Sequence, residues 1–420
     1  MTVPSGAIAL LHDRNYVLLF IARTLAMLSF AFAPVALAFG ILDMPGGTAV
    51  ILSVVLAFQL GPNVVLVLFG GVVADRYSRS RLIAAGESVV GVGWAAIGVL
   101  LLQPEPSVWL MCVCAAATGI GGSLVYPALT GIIPDLVAEE NLTEANAYLQ
   151  GANATARLIG VVAGGVTVAL LGGGLALLIA GALYLISGAM CLFLPKTSRT
   201  AGTTEPMLSQ LRQGWGEFSS HQWLWVVVLT WGLMYMFFEA SVGVLGPHIG
   251  KLDLGGAGGW TWVLAGEAVG AIAAVVVSMF WRPRHPIFVG ALLAVFCGVP
   301  GLLLGYRFPL WIIVVAAVGM GFGLQLFGVY WLTTMQLEVP PESLSRVASY
   351  DAFGSILLGP LGLVLAGPAD ELFGPHLSII VCSVICIVVV GLALLSPDVR
   401  HIAPYRKHEG LADAPLSVQH

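Results

Sequence analysis

Charge is what this sequence has least of. Only 9% of its 420 residues are charged, against 58% apolar, and the mean hydropathy is +0.96. A soluble domain carries about a quarter charged residues, so this chain cannot hide its apolar surface from water by folding on itself. It must use lipid as solvent. A basic field is also missing: with net charge −5 and pI near 5.9, nucleic acid is not an expected partner. There is no Gly-Lys-Ser/Thr phosphate loop, and Ser, His and acidic residues form no triad-like pattern. Nucleotide-driven transport by this chain alone, and enzymatic chemistry generally, are therefore not expected. The six cysteines (Cys112, Cys114, Cys191, Cys297, Cys382 and Cys386) all fall inside apolar runs. Cys112 and Cys114, two apart, point to different sides of a helix, so small buried residues are expected rather than metal ligands. No cofactor or metal is implied. The N-terminal apolar patch ends in His12-Asp13-Arg14 with no small-residue cleavage site, so a cleavable signal is not expected.

Long apolar runs are what is there. A crossing helix needs about 20 mostly apolar residues. Twelve such spans are read at 16–42, 48–73, 82–103, 108–131, 146–171, 174–195, 223–247, 258–280, 286–306, 309–333, 344–369 and 374–396, numbered here 1 to 12. The cuts fall on Pro45-Gly46-Gly47, Pro104-Glu105-Pro106, Gly172-Gly173-Gly174, Gly255-Gly256, Pro283 and Pro286, Pro340-Pro341 and Gly374-Pro375. Of the 17 Lys and Arg, only Lys251 and Arg307 fall at the ends opposite the N-terminus, and only Arg157 lies well within a span. By the positive-inside rule both termini are cytoplasmic, in a multi-pass protein of the cell (inner or plasma) membrane. The polar stretch 196–222 divides six spans from six, giving an N-terminal bundle (1–195), a cytoplasmic linker, a C-terminal bundle (223–396) and a cytoplasmic tail (397–420). Within the linker Met207, Leu208, Leu211, Trp215 and Phe218 recur at helical spacing, as in a short amphipathic helix lying on the inner surface. Trp281-Arg282-Pro283-Arg284-His285 after span 8 echoes the basic segment after span 2.

That earlier segment, Gly71 to Arg81, crowds Asp75 and the arginines Arg76, Arg79 and Arg81 into one turn. Twelve spans in a 6+6 order with Gly71-x-x-x-Asp75-Arg76-x-x-Arg79 between spans 2 and 3 resemble the major facilitator superfamily. Ser78 and Ser80 stand where that family usually has Gly and a basic residue. The resemblance implies an all-α membrane fold of two pseudo-symmetric six-helix bundles. It also implies an inner gate in which Asp75 meets the start of span 11 near Ser343 while the arginines hold the end of span 4. Asp135 is the expected partner of Arg79 or Arg76, and an acid at a helix N-terminus is favoured by the helix dipole. A solvated basic loop that only sets topology is the plainer reading. In span 5, Ala156-x-x-x-Gly160-Val161-x-x-Gly164-Gly165 resembles the superfamily's antiporter motif, with Ala156 and Val161 in place of Gly and Pro. The same small residues suit close helix packing. The run Tyr126 to Val137, then Glu139-Glu140-Asn141-Leu142, and Val339-Pro340-Pro341-Glu342 with Arg346-Val347, are similar to the drug:proton antiporter branch that includes macrolide and siderophore exporters.

Five ionisable residues fall inside spans: Glu87, Arg157, Glu239, Glu267 and Asp351. At about 3 kcal/mol each at a lipid-exposed helix centre, they would together cost on the order of 15 kcal/mol, so they are expected to face one another, a neighbouring helix or a wet cavity. Asn146, Gln150, Asn153, Arg157, Gly160 and Gly164 share one face of span 5. Arg157 is expected to line a central cavity, holding an acid or an anionic group of the cargo, or else to pair with a neighbouring helix. In span 7 Trp231, Tyr235, Glu239 and Gly243 share a face; in span 8 Glu267, Gly270, Ala271, Ala274 and Ser278 do. Spans 7 and 8 are neighbours in sequence, and carboxyls near one another in low dielectric favour the protonated form, so Glu267 and Glu239 are proton-coupling candidates; Asp351 in span 11 is a third, which could instead pair with Arg346 or take part in gating near Asp75. Hydrogen-bonded structural acids are the alternative. Glu87 is read as a structural pair. Further cavity candidates are Gln59 and Asn63 beside Pro62, Tyr126, Gln325, Tyr330, Phe30 and Phe322. The resemblance and the buried acids together imply export of a small amphipathic compound coupled to protons by a monomer in the bilayer. An exporter of siderophore or lipid-like cargo, an uptake symporter and a non-transporting sensor are the alternatives. His248, His285 and His376 are read as isolated residues near span ends.

Overall fold

The computed structural model describes residues 10, 12–137, 141–195, 215–216 and 218–402, without the side chains of 67–76, 126, 127, 130, 131, 134, 143, 147, 341–346 and 349. Helix is the only regular structure among the described residues. Backbone groups in hydrocarbon must satisfy one another within a segment, which helices do. Span 1 is Arg14–Asp43, capped by the Asp13 carboxylate, which accepts from the backbone N–H of Asn15 and Tyr16. Spans 2, 3 and 4 are Ala49–Arg76, Arg79–Leu101 and Val108–Leu136.

Spans 5 and 6 follow one another without a loop over Leu142–Leu192, the helix broken at Gly172, where φ is 79° and ψ 165°. Only glycine takes this conformation without strain. The packing shows that the chain reverses there. Before it, Ala145, Gly160 and Gly164 meet Tyr16, Leu28 and Phe32 in rising order along span 1. After it, Ala180 and Ser187 meet Ser29 and Ala22 in falling order. Among the described residues eleven helices are long and apolar enough to cross a membrane when this stretch is counted once; divided at Gly172, it makes the twelve crossings expected.

Span 7 is Gln222–Glu239, a π-helical turn at Ala240–Leu245, and Gly246–Asp253. Span 8 is Ala257–Phe280, span 9 runs from Pro286–Ala294 through a 3-10 turn to Val299–Gly305, and span 10 is Leu310–Glu338. Span 11 is Pro341–Ile356 followed by Gly359–Phe373, and span 12 is Pro375–Ala393. The two six-span halves meet along pairs related by their order. Span 2 packs on span 11, with Val50 and Ser53 against Gly367 and Leu60 against Gly359, and span 5 packs on span 8.

One end of the bundle carries Asp43, Lys251 and Arg307; the other carries Arg79 and Asp135. At the Lys251 end the halves are tied. Lys251 Nζ lies 2.8 Å from Asp43 and also donates to the Leu42 carbonyl. Phe39 reaches Gly250, and Gly165 abuts the Thr261 side chain so closely that an added Cβ would fall on it. Most of the amphipathic segment expected at 207–218 lies outside the described residues; of it, Trp215 and Phe218 pack their rings on Tyr350 of span 11.

Candidate functional site

Between the halves lies a cavity of about 610 Å³, lined by spans 1 to 8 and span 11. Its polar groups come from both sides. The first half supplies Arg157, Gln59 and Asn63; the second supplies Glu239, Glu267 and Tyr235. Phe30, Trp94, Tyr184 and Trp260 add aromatic wall. Phe30 is 62% exposed although it sits in mid-span, so the space it faces is roomy. Four aromatic groups among few fixed polar ones suit an amphipathic guest held at a small number of points.

Arg157 of span 5 and Glu267 of span 8 form the only ion pair among the described residues that crosses between the halves within the cavity, Nη2 to Oε1 at 2.7 Å. Two unlike charges brought together offset the desolvation each would suffer alone. Arg157 remains 44% exposed while Glu267 is 17% exposed, so the guanidinium keeps donors turned to the cavity. The spacing that brings them together is the helical one. Arg157 and Val161 share the cavity side of span 5, whereas Gly160 and Gly164 pack on the backbone of Leu28 and Phe32 in span 1. The small-residue stripe therefore diverges from the polar stripe, with Gly165 serving the contact to span 8.

Among the described residues, no cation pairs with Glu239 in the cavity. The Tyr235 hydroxyl lies beside its carboxylate. Tyr235 is seated by Gly359 of span 11, where a Cβ would press on its ring. The π turn begins one residue later and brings Gly243 to the cavity wall. Such turns inside helices frequently mark functional sites, because they widen the helix and re-aim side chains. Asn63 is held by its amide, which donates to the Gly119 carbonyl at 3.2 Å.

Other candidates lie elsewhere. Trp231 is stacked on Phe327 of span 10, with centroids 3.9 Å apart, and does not line the cavity. Tyr330 is buried and its hydroxyl donates to the Trp281 carbonyl, so it packs inside the second half. Gln325, Phe322 and Asn153 are also absent from the lining, and the Asn153 Oδ1 is buried without a partner. Helical periodicity marks a face but not which neighbour that face meets. Asp351 accepts from Ser355 at 3.4 Å and lies beside Trp331, within the second half rather than in the cavity. Tyr126, Gly71, Asp75, Arg76, Ser343 and Arg346 lie outside the residues whose side chains are described. Of the gate expected at the Arg79 end, one pair is in view: Arg79 Nη1 to Asp135 Oδ2 at 3.0 Å. Glu87 is fully buried and meets Arg23 at 3.1 Å and the Ser187 hydroxyl, a structural cluster away from the cavity.

The sequence reading missed two histidine pairs. His248 meets Asp370 at 3.0 Å, and His376 meets Asp253 at 2.6 Å with Arg307 beside them at 3.5 Å. Each joins residues more than a hundred positions apart, and no local pattern marks them.

Comparison with known proteins gives the arrangement its context. The family model of the Major Facilitator Superfamily matches residues 16–360. The enterobactin exporter EntS of Citrobacter koseri is 28% identical over 377 residues, covering 84% of this chain and 86% of that one. The same exporter of Escherichia coli O127:H6 is 27% identical over 368 residues with the same coverage. Among solved structures, a crystal structure of the nucleoside transporter NupG superposes with a TM-score of 0.72 at 12% identity, covering 90% of this chain and 98% of that one. A bacterial homologue of the human lysosomal transporter Spinster gives 0.68 at 15% identity, covering 95% and 98%. At these identities the solved structures speak to the fold alone.

Proposed function

The chain belongs to the Major Facilitator Superfamily, and from that premise we propose that it is a proton-coupled exporter of a small amphipathic compound, working by alternating access about the central cavity. It is a multi-pass membrane transport protein and not an enzyme. The observation that carries the finer reading is the make-up of the cavity: a cation from one half paired with an acid from the other, beside a second acid that no cation meets among the described residues. The relatives named enterobactin exporters favour a siderophore-like cargo within the amphipathic class. Antibiotics and other secondary metabolites share that class, which is where a role in drug resistance would enter.

In this scheme Glu267 and Glu239 take up protons from the side with the higher proton concentration. Proton binding on Glu267 removes its charge and releases Arg157, loosening the tie between spans 5 and 8. Proton binding on Glu239 leaves the cavity without a free acid. Each step biases the rocking of the halves, because a state is favoured only by the interactions it alone makes. With both termini cytoplasmic, the Lys251 end faces outward, and Arg79 with Asp135 belongs to the inner gate with Asp75 and Arg76.

Proteoliposomes loaded with enterobactin, the cargo in the relatives' names, or with an amphipathic cationic dye, test the scheme. Flux is expected to follow an imposed pH gradient and to lose that dependence in Glu267→Gln and Glu239→Gln. Flux in the double variant that still collapses with the gradient would refute the assignment of the two acids.

A further inference from the structure

The basic segment after span 8 does not line the cavity. Span 8 ends on Met279 and Phe280, which are 67% and 85% exposed. Trp281 and Arg282 follow, both exposed, and then Arg284. The Tyr330 hydroxyl holds the Trp281 carbonyl at 2.9 Å, and the two rings meet edge-on, so the segment is fixed to span 10. The helix Pro397–His401, just past span 12, packs beside the start of span 9, which brings His401 next to the span 8–9 turn, with Arg400 preceding it in the same short helix. The rings of His285 and His401 lie 6.5 Å apart, and His285 Nδ1 is buried without a protein partner. Arg400 is steadied by its Nε, which donates to the Leu394 carbonyl. Among the described residues no ion pair joins Arg282, Arg284 or Arg400 to an acid, including the neighbouring exposed Asp398. Beside them Leu395 is 62% exposed.

The layering is that of a membrane boundary. Large apolar side chains stand exposed on one side of Trp281 and arginines on the other. Aromatic residues mark the headgroup level of a bilayer, the guanidinium fork matches the paired oxygens of a phosphate, and basic pockets between helix ends hold anionic headgroups. We propose that Arg282, Arg284 and Arg400 hold the phosphodiester of an anionic phospholipid whose acyl chains run along Met279, Phe280 and Leu395. The site is contributed by separate stretches of the second half, so an occupying lipid would fasten the end of span 12 to the span 8–9 turn.

Native mass spectrometry of the full chain, delipidated in detergent and titrated with dioleoyl phosphatidylglycerol or dioleoyl phosphatidylcholine, tests this. Phosphatidylglycerol should be retained in preference. Each of Arg282→Gln, Arg284→Gln and Arg400→Gln should weaken it about fivefold, and the triple variant on the order of 100-fold, at about 1 kcal/mol per arginine. The triple Lys variant, which keeps the charge, should retain the preference even where the triple Gln variant folds poorly. Equal retention of the two lipids, or a triple Gln variant that binds as the unaltered chain does, would overturn the proposal. So would displacement of phosphatidylglycerol by millimolar inorganic phosphate, which would mark a site for free phosphate.

Discussion

Arg23–Glu87, Arg157–Glu267 and Arg79–Asp135 share a chemistry and differ in what surrounds them. Arg23–Glu87 is sealed inside the first half, with Glu87 fully buried and Arg23 13% exposed. Removing one partner of such a pair strands the other, a loss of about 3–5 kcal/mol. Glu87→Ala is therefore expected to lower the unfolding temperature and yield in detergent strongly, while the folded fraction binds cargo normally. Arg157–Glu267 is wetter and lies across the halves, so its loss should appear less in stability than in transport. A double-mutant cycle of Arg157→Gln and Glu267→Gln on cargo affinity should give a coupling of about 0.5–3 kcal/mol; additivity would show that the pair does not act as a unit. Arg79–Asp135 was legible in the sequence, because the family motif sends the arginines after span 2 to the end of span 4, where Asp135 lies. The partner of Glu87 was not: Arg23 lies 64 positions away, and only the packing of spans 1 and 3 selects it.

At the scale of elements, the short helix Gly246–Asp253 gathers the Lys251 end. His248 reaches span 11, Lys251 reaches span 1 across the halves, and Asp253 reaches His376 of span 12. The span boundaries that expose these ends were readable from Gly and Pro punctuation, and Gly172 turned the chain where expected. Side-chain direction was less readable. Trp231 and Tyr330 lie on plausible faces, yet in helices apolar all round the face toward a cavity looks like the face toward a neighbour. Magnitudes decide what closes this end. Lys251 and Asp43 are 38% and 57% exposed, and an exposed pair contributes about 0–1 kcal/mol. Lys251→Ala is expected to leave the closed arrangement largely intact. Gly165→Leu, whose side chain must enter the space of Thr261, should instead wedge spans 5 and 8 apart. Spin labels placed on the two halves at this end should report a longer distance for Gly165→Leu and little change for Lys251→Ala. The reverse order would mean that charge rather than packing holds the halves together there.

The whole molecule is two halves that enclose charges of opposite sign, one contribution from each side. That division is what a rocking transporter requires, because an interaction shared by both halves changes when they move, whereas one confined to a half does not. Composition and the motif after span 2 made the fold readable; the cavity's lining became clear only when spans 5, 7 and 8 were seen together. The central claim is that Glu267 and Glu239 couple cargo movement to protons. The direct test is cargo-induced proton movement in proteoliposomes without an imposed gradient, read by a pH-sensitive dye trapped in the lumen. The account predicts a cargo-dependent pH change opposite in direction to cargo flow, abolished in the Glu239→Gln, Glu267→Gln double variant. Cargo flux that proceeds with no pH change, or a pH change that survives in the double variant, would contradict it.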